Sequence, residues 1–296
     1  MSYPIHRIPS RNDCQTAIFF TVHAVCFLLF VVIAGCIPST SADRLSPATR
    51  AEVEGILNTL QARYDLTGSL KIIQMAVTIE EGDQREEVRE SLWYKKSESG
   101  GELLLIQALG PINEPRAVVI ANRDENQFVL ALLNEERTYH GPLSDGALKE
   151  IFGVDLRVSD VLSAIFANPF LDRRTDNFTS VENSGAKFTI TRPGIKDEHV
   201  ETVTLFVREG EPRVTDWHIH DKNGVLQQRA TFSDYRKVGG ILRPHKVEIK
   251  RPIEQTRVAV NIAKVELNVE IKDSKFDAAR FLSEDFEIIP LSELAD

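Results

Sequence analysis

The 296-residue sequence contains few cysteines and fewer basic than acidic side chains. Three cysteines are too few to build a fold that depends on several disulfides. The 35 Lys and Arg residues are outnumbered by 44 Asp and Glu residues, so the formal net charge is −9. Because nucleic-acid binding depends on Lys and Arg neutralising phosphates, this balance argues against a nucleic-acid partner.

The sequence also lacks the short motifs of common enzyme classes. It contains no G-x-S-x-G nucleophile elbow, no phosphate-binding P-loop and no G-x-G-x-x-G dinucleotide signature. Ser184 and Lys187 have the spacing of an S-x-x-K motif, but they lie in a predicted turn, where the required helix is absent. The sequence therefore predicts a protein that is not an enzyme, with no catalytic residues and no cofactor.

One strand presents three potential metal ligands. Asp216, His218 and His220 alternate along the chain and share one face of a predicted strand, so a metal site is the minor alternative there. Trp217 and Ile219 occupy the opposite face, which is the natural core side. We therefore expect the histidine face to be solvated and predict no metal.

The N-terminus has the pattern of an export signal. Arg7 and Arg11 precede an apolar run over residues 17–35, as a charged n-region precedes an h-region. The run approaches the length that spans a bilayer, so an uncleaved anchor is the alternative. The end of the run, Ile33-Ala34-Gly35-Cys36, resembles the lipobox of bacterial lipoproteins, whose Cys receives a diacylglycerol. We expect a lipoprotein signal peptide over residues 1–35 and lipid attachment at Cys36.

Lipidation of Cys36 would attach the mature chain to a membrane. One acyl chain binds membranes only marginally, whereas two or more hold stably, so the anchor would be permanent. The next residue is Ile37 rather than Asp, and by resemblance to enteric-type sorting this favours the outer membrane, with the protein facing the periplasm. Polar residues 36–45 are then a lipidated tether.

Residues 46–272 predict one β-rich domain that begins with a helix. Five apolar residues recur at helical spacing, Val53, Ile56, Leu57, Leu60 and Tyr64. From Ser69 onward, apolar residues recur at every second position in runs separated by Gly and Pro turns, which is typical of antiparallel strands. Two short amphipathic helices are predicted at 144–152 and 158–166, and residues 273–296 are expected to pack on the domain as a tail.

The last long strand region changes its alternation. Val258, Val260 and Ile262 are apolar at even positions, whereas Val265 and Leu267 are apolar at odd positions. A one-residue shift moves side chains to the other face of a sheet. The pattern therefore predicts a bulge, a bend or a turn near residues 263–264.

The order of these elements resembles the LolA/LolB-like lipoprotein carriers and receptors over about residues 45–271. The resemblance is carried by Leu-Gly-Pro-Ile at 109–112, Tyr-His-Gly-Pro-Leu-Ser at 139–144, the two-helix insert that ends at Asn168-Pro169, and the passage from Tyr235 to Val247. The predicted lipid anchor favours the LolB-like receptor branch, because the carrier branch is soluble.

The resemblance implies a mainly β (α+β) fold, an unclosed antiparallel β-barrel whose concave apolar face is covered by an N-terminal helix and a two-helix insert. That face would bind the acyl chains of lipids or acylated lipoproteins for delivery to the outer membrane, with a soluble LolA-like carrier as a partner. The expected acyl-chain-binding residues are Met75, Val77, Leu105, Val203, Leu205, Trp217, Ile219, Val260 and Leu267. The expected lid helix presents Val158, Val161, Leu162, Ile165 and Phe166, and Ile112, at the centre of a loop flanked by prolines, is expected to insert into the membrane.

Several alternatives stay open at this point. The same fold could serve as a lipid- or protein-sensing regulatory module, or as a scaffold subunit of an envelope complex. In a scaffold, the periodic aliphatic residues would form a dry core, which is their ordinary role. Ile112 could likewise fold back and pack under its own loop.

Overall fold

The computed structural model describes residues 47–143, 158–171, 178–194 and 198–294. The described α-helices are α1 (Pro47–Asp65) and α2 (Val158–Phe166). The first group of strands is β1 (Ser69–Glu81), β2 (Gln84–Lys96), β3 (Glu102–Leu109), β4 (Pro115–Asn122), β5 (Gln127–Leu132) and β6 (Arg137–Pro142). The second group is β7 (Ser180–Ser184), β8 (Lys187–Pro193), β9 (Val200–Arg208), β10 (Glu211–His220), β11 (Leu226–Val238), β12 (Ile241–Arg251) and β13 (Thr256–Leu267). The tail adds short 3-10 helices and β14 (Glu287–Pro290).

All these strands belong to one 14-stranded sheet in the order β14-β6-β5-β4-β3-β2-β1-β13-β12-β11-β10-β9-β8-β7. Neighbouring strands are antiparallel, except that β14 runs parallel to β6. The two groups of strands meet where β1 pairs with β13. Because β14 and β7 end the sheet without pairing to each other, the sheet is unclosed, and the predicted fold class is confirmed.

One face of the sheet carries most of the hydrophobic core, and we call it the inner face. It is defined by buried side chains from both groups of strands, including Met75, Val77, Leu104, Leu130, Ile190, Val203, Leu205, Trp217, Ile219, Ala230, Ile249 and Val260. The predicted stripe of α1, with Val53, Ile56, Leu57 and Leu60, is buried in the same cluster. The helix forms because this stripe has helical spacing, and it is held because the stripe packs on the sheet.

On the opposite, outer face, a second apolar cluster lies over β3, β4 and β5. This buried cluster consists of Leu103, Leu105, Val118, Ile120, Val129 and Ala131, together with Ile271 and Phe276 from the region after β13. The tail therefore covers the outer side of these three strands. Burial on both faces explains why their sequences are continuous apolar runs rather than alternating ones.

The change of alternation in β13 is a β-bulge. The strand runs without interruption from Thr256 to Leu267. Ile262 pairs with Met75, whereas Lys264 pairs with Gln74, which leaves Ala263 without a partner in the ladder. The extra residue shifts the alternation, so Ile262 and Val265 both pack on the inner-face core. Of the three predicted explanations, the bulge is confirmed.

Among the described residues, no helix combines the length and the hydrophobicity that crossing a bilayer requires. The predicted signal peptide, Cys36, the tether and the predicted helix at 144–152 lie outside the described residues.

Candidate functional site

Eight of the nine residues predicted to bind acyl chains lie on the inner face. Seven are buried with at most 4% exposure, namely Met75, Val77, Val203, Leu205, Trp217, Ile219 and Val260. Leu267 is partly buried and packs against the same cluster. The face that they share runs from β9 and β10 through Ala230 of β11 and Ile249 of β12 to β13 and β1, because alternate side chains of each strand point to this face.

Leu105 lies on the other face, and its prediction as part of the inner face is wrong. It belongs to the outer cluster with Val118 and Ile120, beneath Phe276 of the tail. In β3, the inner-face positions are Leu104, Ile106 and Ala108. The segment Leu103–Ile106 is apolar at every position, so alternation gave no means of choosing the correct parity.

Helix α2 covers part of the inner face in the way expected of the lid. Val161, Leu162 and Ile165 are buried in the inner-face cluster, and Phe166 packs against it. The Phe166 ring makes edge contacts with Tyr64 of α1 and Tyr94 of β2, with ring centroids 5.1 and 5.2 Å apart.

Val158 is the first residue of this helix, and its side chain is not among those that the structure describes.

A buried ion pair fixes the chain just after α2. Arg192 of β8 and Glu201 of β9 are 6% and 0% exposed, and their side chains approach to 2.7 Å. The Arg192 guanidinium also donates to the carbonyl oxygen of Pro169 at 2.7 Å and stacks over the Phe170 ring. Since breaking a buried pair leaves an uncompensated charge, this contact holds the end of the lid firmly to the sheet.

A second buried arginine reaches α2 from β12. Arg243 is 4% exposed, and its Nη2 donates to the carbonyl oxygen of Ile165 at 3.4 Å. Burial lowers the pKa of its guanidinium to about 10. The guanidinium is still charged at neutral pH, and it gives the lid a second polar attachment.

Ile112 projects from the loop between β3 and β4. Its side chain is 84% exposed, so the alternative that it packs under the loop is wrong. Arg89 holds the loop by donating to the carbonyl oxygens of Gly110 and Pro111 at 2.8 and 2.7 Å. The Glu114 carboxylate accepts from the Ile112 backbone N–H at 3.0 Å. An apolar side chain is therefore presented to solvent on a loop whose backbone is restrained.

Ile112 shares one edge of the sheet with other exposed aliphatic side chains. The β3–β4, β1–β2, β12–β13 and β10–β11 turns follow one another along this edge, which we call the loop rim. The backbone N–H of Gly82 donates to Gln255 between two of these turns. Ile253 and Val225 lie in the turns that follow and are 58% and 47% exposed. The loop rim therefore presents several apolar points to solvent.

The strand with potential metal ligands has the expected orientation. Trp217 and Ile219 are fully buried on the inner face, while His218 lies on the other face and is partly exposed. The Arg229 guanidinium forms an ion pair with the Asp216 carboxylate at 2.6 Å. Burial, and then the charge of Arg229, lower the pKa of the His218 imidazole. Within the described parts of the chain, no group of three or more potential ligands could hold a metal ion.

The sequence analysis missed an acidic residue on the inner face. Glu90 of β2 is fully buried, and burial raises the pKa of its carboxyl well above the ordinary value. Its neighbours at alternate positions, Val88, Leu92 and Tyr94, all belong to the inner-face cluster. The sequence signal for it was a charged residue at a position of the strand where alternation predicts an apolar side chain.

Comparison with known proteins supports the fold. No protein-family model and no curated protein matches the sequence. A DUF1329 family protein from Desulfovibrio piger has 15% identity and a TM-score of 0.56, over 77% of this chain and 98% of that chain. A domain assigned to outer membrane lipoprotein sorting, from Vibrio parahaemolyticus, has 13% identity and a TM-score of 0.54, with the same two coverages. A LolA superfamily protein from Nitrosomonas europaea has 13% identity and a TM-score of 0.48, over 76% and 99%.

At these identities the likeness concerns the fold. The chain is similar in fold to the lipoprotein-sorting domain, and the resemblance predicted from the sequence is confirmed at that level.

Proposed function

We propose that this protein binds the acyl chains of lipids or acylated lipoproteins on the inner face of its sheet and passes them to the outer membrane. The observation that carries the proposal is the apolar inner face of the sheet, which the helices α1 and α2 cover. Burial of an acyl chain on such a face contributes about 0.8 kcal/mol per CH₂. The fold shared with the lipoprotein-sorting domain also supports this function.

The proposal includes membrane attachment in the bacterial envelope. The lipid on Cys36 would anchor the chain, and the exposed Ile112 would touch the lipid surface during delivery. A soluble LolA-like carrier would be the partner that brings the cargo. Since the proposed role is binding and transfer, it requires neither catalytic residues nor a cofactor.

Adjacent residues on β9 allow a matched test of the inner face. Leu205 is fully buried on the inner face, and Phe206 points the other way and is 41% exposed. A carboxylate on the binding face should oppose an acyl chain, because a buried charge without a partner is costly. We expect Leu205→Glu to abolish binding of a fluorescent fatty acid and Phe206→Glu to leave it unchanged. Circular dichroism must show both variants folded, and normal binding by a folded Leu205→Glu protein would refute the assignment.

A scaffold with a dry core is the second candidate function. Near-zero exposure of Met75, Val77 and Trp217 is what a closed core without a ligand also produces. Mass spectrometry of lipid extracted from the purified protein separates the two functions. Stoichiometric acyl lipid favours carriage, and its absence from protein purified out of membranes favours the scaffold.

A further inference from the structure

Glu90 stands out among the buried polar side chains of the inner face. It is fully buried at the centre of β2, and neither carboxylate oxygen has a hydrogen-bond partner among the described residues. An unpaired polar group in an apolar environment costs free energy, which is why buried polar groups are nearly always hydrogen-bonded. Glu90 therefore calls for a partner that the described protein atoms do not supply.

The elements beside Glu90 present apolar side chains to it. Its cross-strand neighbours are Met75 on β1 and Ala108 on β3, both in the inner-face core. The other inner-face residues of β1 and β3 nearby, such as Val77 and Ile106, are likewise apolar. The basic residue of β1, Lys71, pairs with Glu266 at 3.1 Å rather than with Glu90.

Titratable groups on this face lie farther along the strands. On β2 they are Tyr94 and Glu86. The Tyr94 hydroxyl donates to Glu102, and Glu86 lies opposite Ile79 of β1, near the loop rim. On β12, His245 is separated from Glu90 by two strands. Glu90 lies opposite Met75 of β1, Met75 lies opposite Ile262 of β13, and the His245 Nδ1 lies 3.0 Å from the Ile262 carbonyl oxygen. Burial is accordingly the cause that raises the pKa of the Glu90 carboxyl well above its ordinary value, so burial favours the protonated, uncharged acid.

An uncharged acid offers one O–H donor, and a ligand that satisfies it must bring an acceptor. The hydrocarbon of an acyl chain has none, whereas the ester that joins the chain to glycerol has a carbonyl oxygen. A cleft beneath the Ile112 loop is lined by Val88, Ala108, Gly110 and Pro111, together with the charged residues Glu86, Glu87, Arg89 and Arg116. Glu90 itself does not line the cleft, but Val88 and Ala108 are its direct neighbours on the inner face, so the cleft borders the Glu90 position.

We propose that the buried Glu90 carboxyl group donates a hydrogen bond to an ester carbonyl of the acyl lipid on the inner face. This inference rests on the proposed acyl-chain binding and adds the ligand's chemistry: the protein recognises a carboxylic ester as well as a hydrocarbon chain. The ester could come from a phospholipid or from the diacylglycerol of a lipoprotein.

The test uses two phospholipids that differ only at this group, dioctanoyl-glycerophosphocholine and its dioctyl ether analogue, which lacks the carbonyls. Wild-type protein should bind the ester roughly 5-fold more tightly, the effect of one hydrogen bond. The preference should be present at low pH and disappear once the pH exceeds the raised pKa of Glu90, because an ionised carboxylate cannot donate. Glu90→Gln keeps an N–H donor and should retain the preference without this pH dependence.

Glu90→Leu is the matched apolar variant and should bind both lipids equally, and thermal melting verifies that it is folded. Competition of the diester with a diacylglyceryl-cysteine peptide then shows which natural ester binds better, and either order of affinity is consistent with ester recognition. Equal affinity of wild-type protein for ester and ether overturns the Glu90 inference alone. So does binding that strengthens as Glu90 ionises, which would indicate a cationic headgroup. Binding of neither lipid overturns both the inference and the proposed function.

Discussion

Replacing Ile112 by Asp should separate membrane delivery from folding. Complete burial of an isoleucine side chain contributes about 1.5–3 kcal/mol. Because the side chain is already 84% exposed in the folded protein, only a small part of this free energy contributes to stability. We expect Ile112→Asp to change the free energy of unfolding by less than about 0.5 kcal/mol.

The same substitution should strongly affect contact with a bilayer. If the side chain enters the lipid, the variant loses the whole burial term, and about 1.5 kcal/mol already corresponds to roughly tenfold weaker insertion. Arg89 and Glu114 still restrain the loop, so its conformation should be preserved. Transfer of a bound fluorescent lipid to liposomes should slow by at least about tenfold, while melting and probe binding stay unchanged.

Leu66 provides the matched control. It is 65% exposed, and it follows α1 at the sheet edge opposite the loop rim. Leu66→Asp should leave lipid transfer at the wild-type rate. The reasoning is refuted if folded Ile112→Asp protein delivers lipid as fast as wild type, or if Leu66→Asp slows transfer equally.

Two further predictions concern the anchor and the buried ion pair. Cys36→Ser should block incorporation of an acyl-chain analogue in metabolic labelling, whereas equal labelling of both proteins would end the lipoprotein assignment. Glu201→Leu removes the carboxylate that faces the buried Arg192 guanidinium and should lower the free energy of unfolding by about 3–5 kcal/mol in urea denaturation. Asp216→Asn breaks the more exposed pair with Arg229 and should cost no more than about 1 kcal/mol, so equal losses would contradict this account.

Local patterns predicted the elements whose burial is one-sided. The apolar stripe of α1 could be identified from its helical spacing, because a helix that is buried on one side has apolar residues on that side only. Four of its residues are buried together. The bulge in β13 could be located because each half of that strand alternates cleanly. In β3, the tail buries the outer face as well, so both faces are apolar and the strand does not alternate. The sequence therefore did not show that Leu105 lies on the outer face.

The polar part of the site depends on contacts between distant segments. Arg192 and Glu201 meet because β8 and β9 pair in one register, which the sequence of either strand does not specify. Glu90 was detectable in principle, because its neighbours at alternate positions are apolar. The strand β14 is short, and it is recognisable only through its pairing with β6.

The parallel pairing of β14 with β6 has a consequence for biogenesis. Ile289 lies beside Tyr139, so this edge of the sheet is completed by residues synthesised long after β6. Until the tail emerges from the ribosome, the edge of β6 that β14 will pair with presents unpaired N–H and C=O groups to other chains. Contacts of such high sequence separation form late in folding. The nascent protein therefore passes through a stage in which this edge of the sheet is open to pairing with other chains.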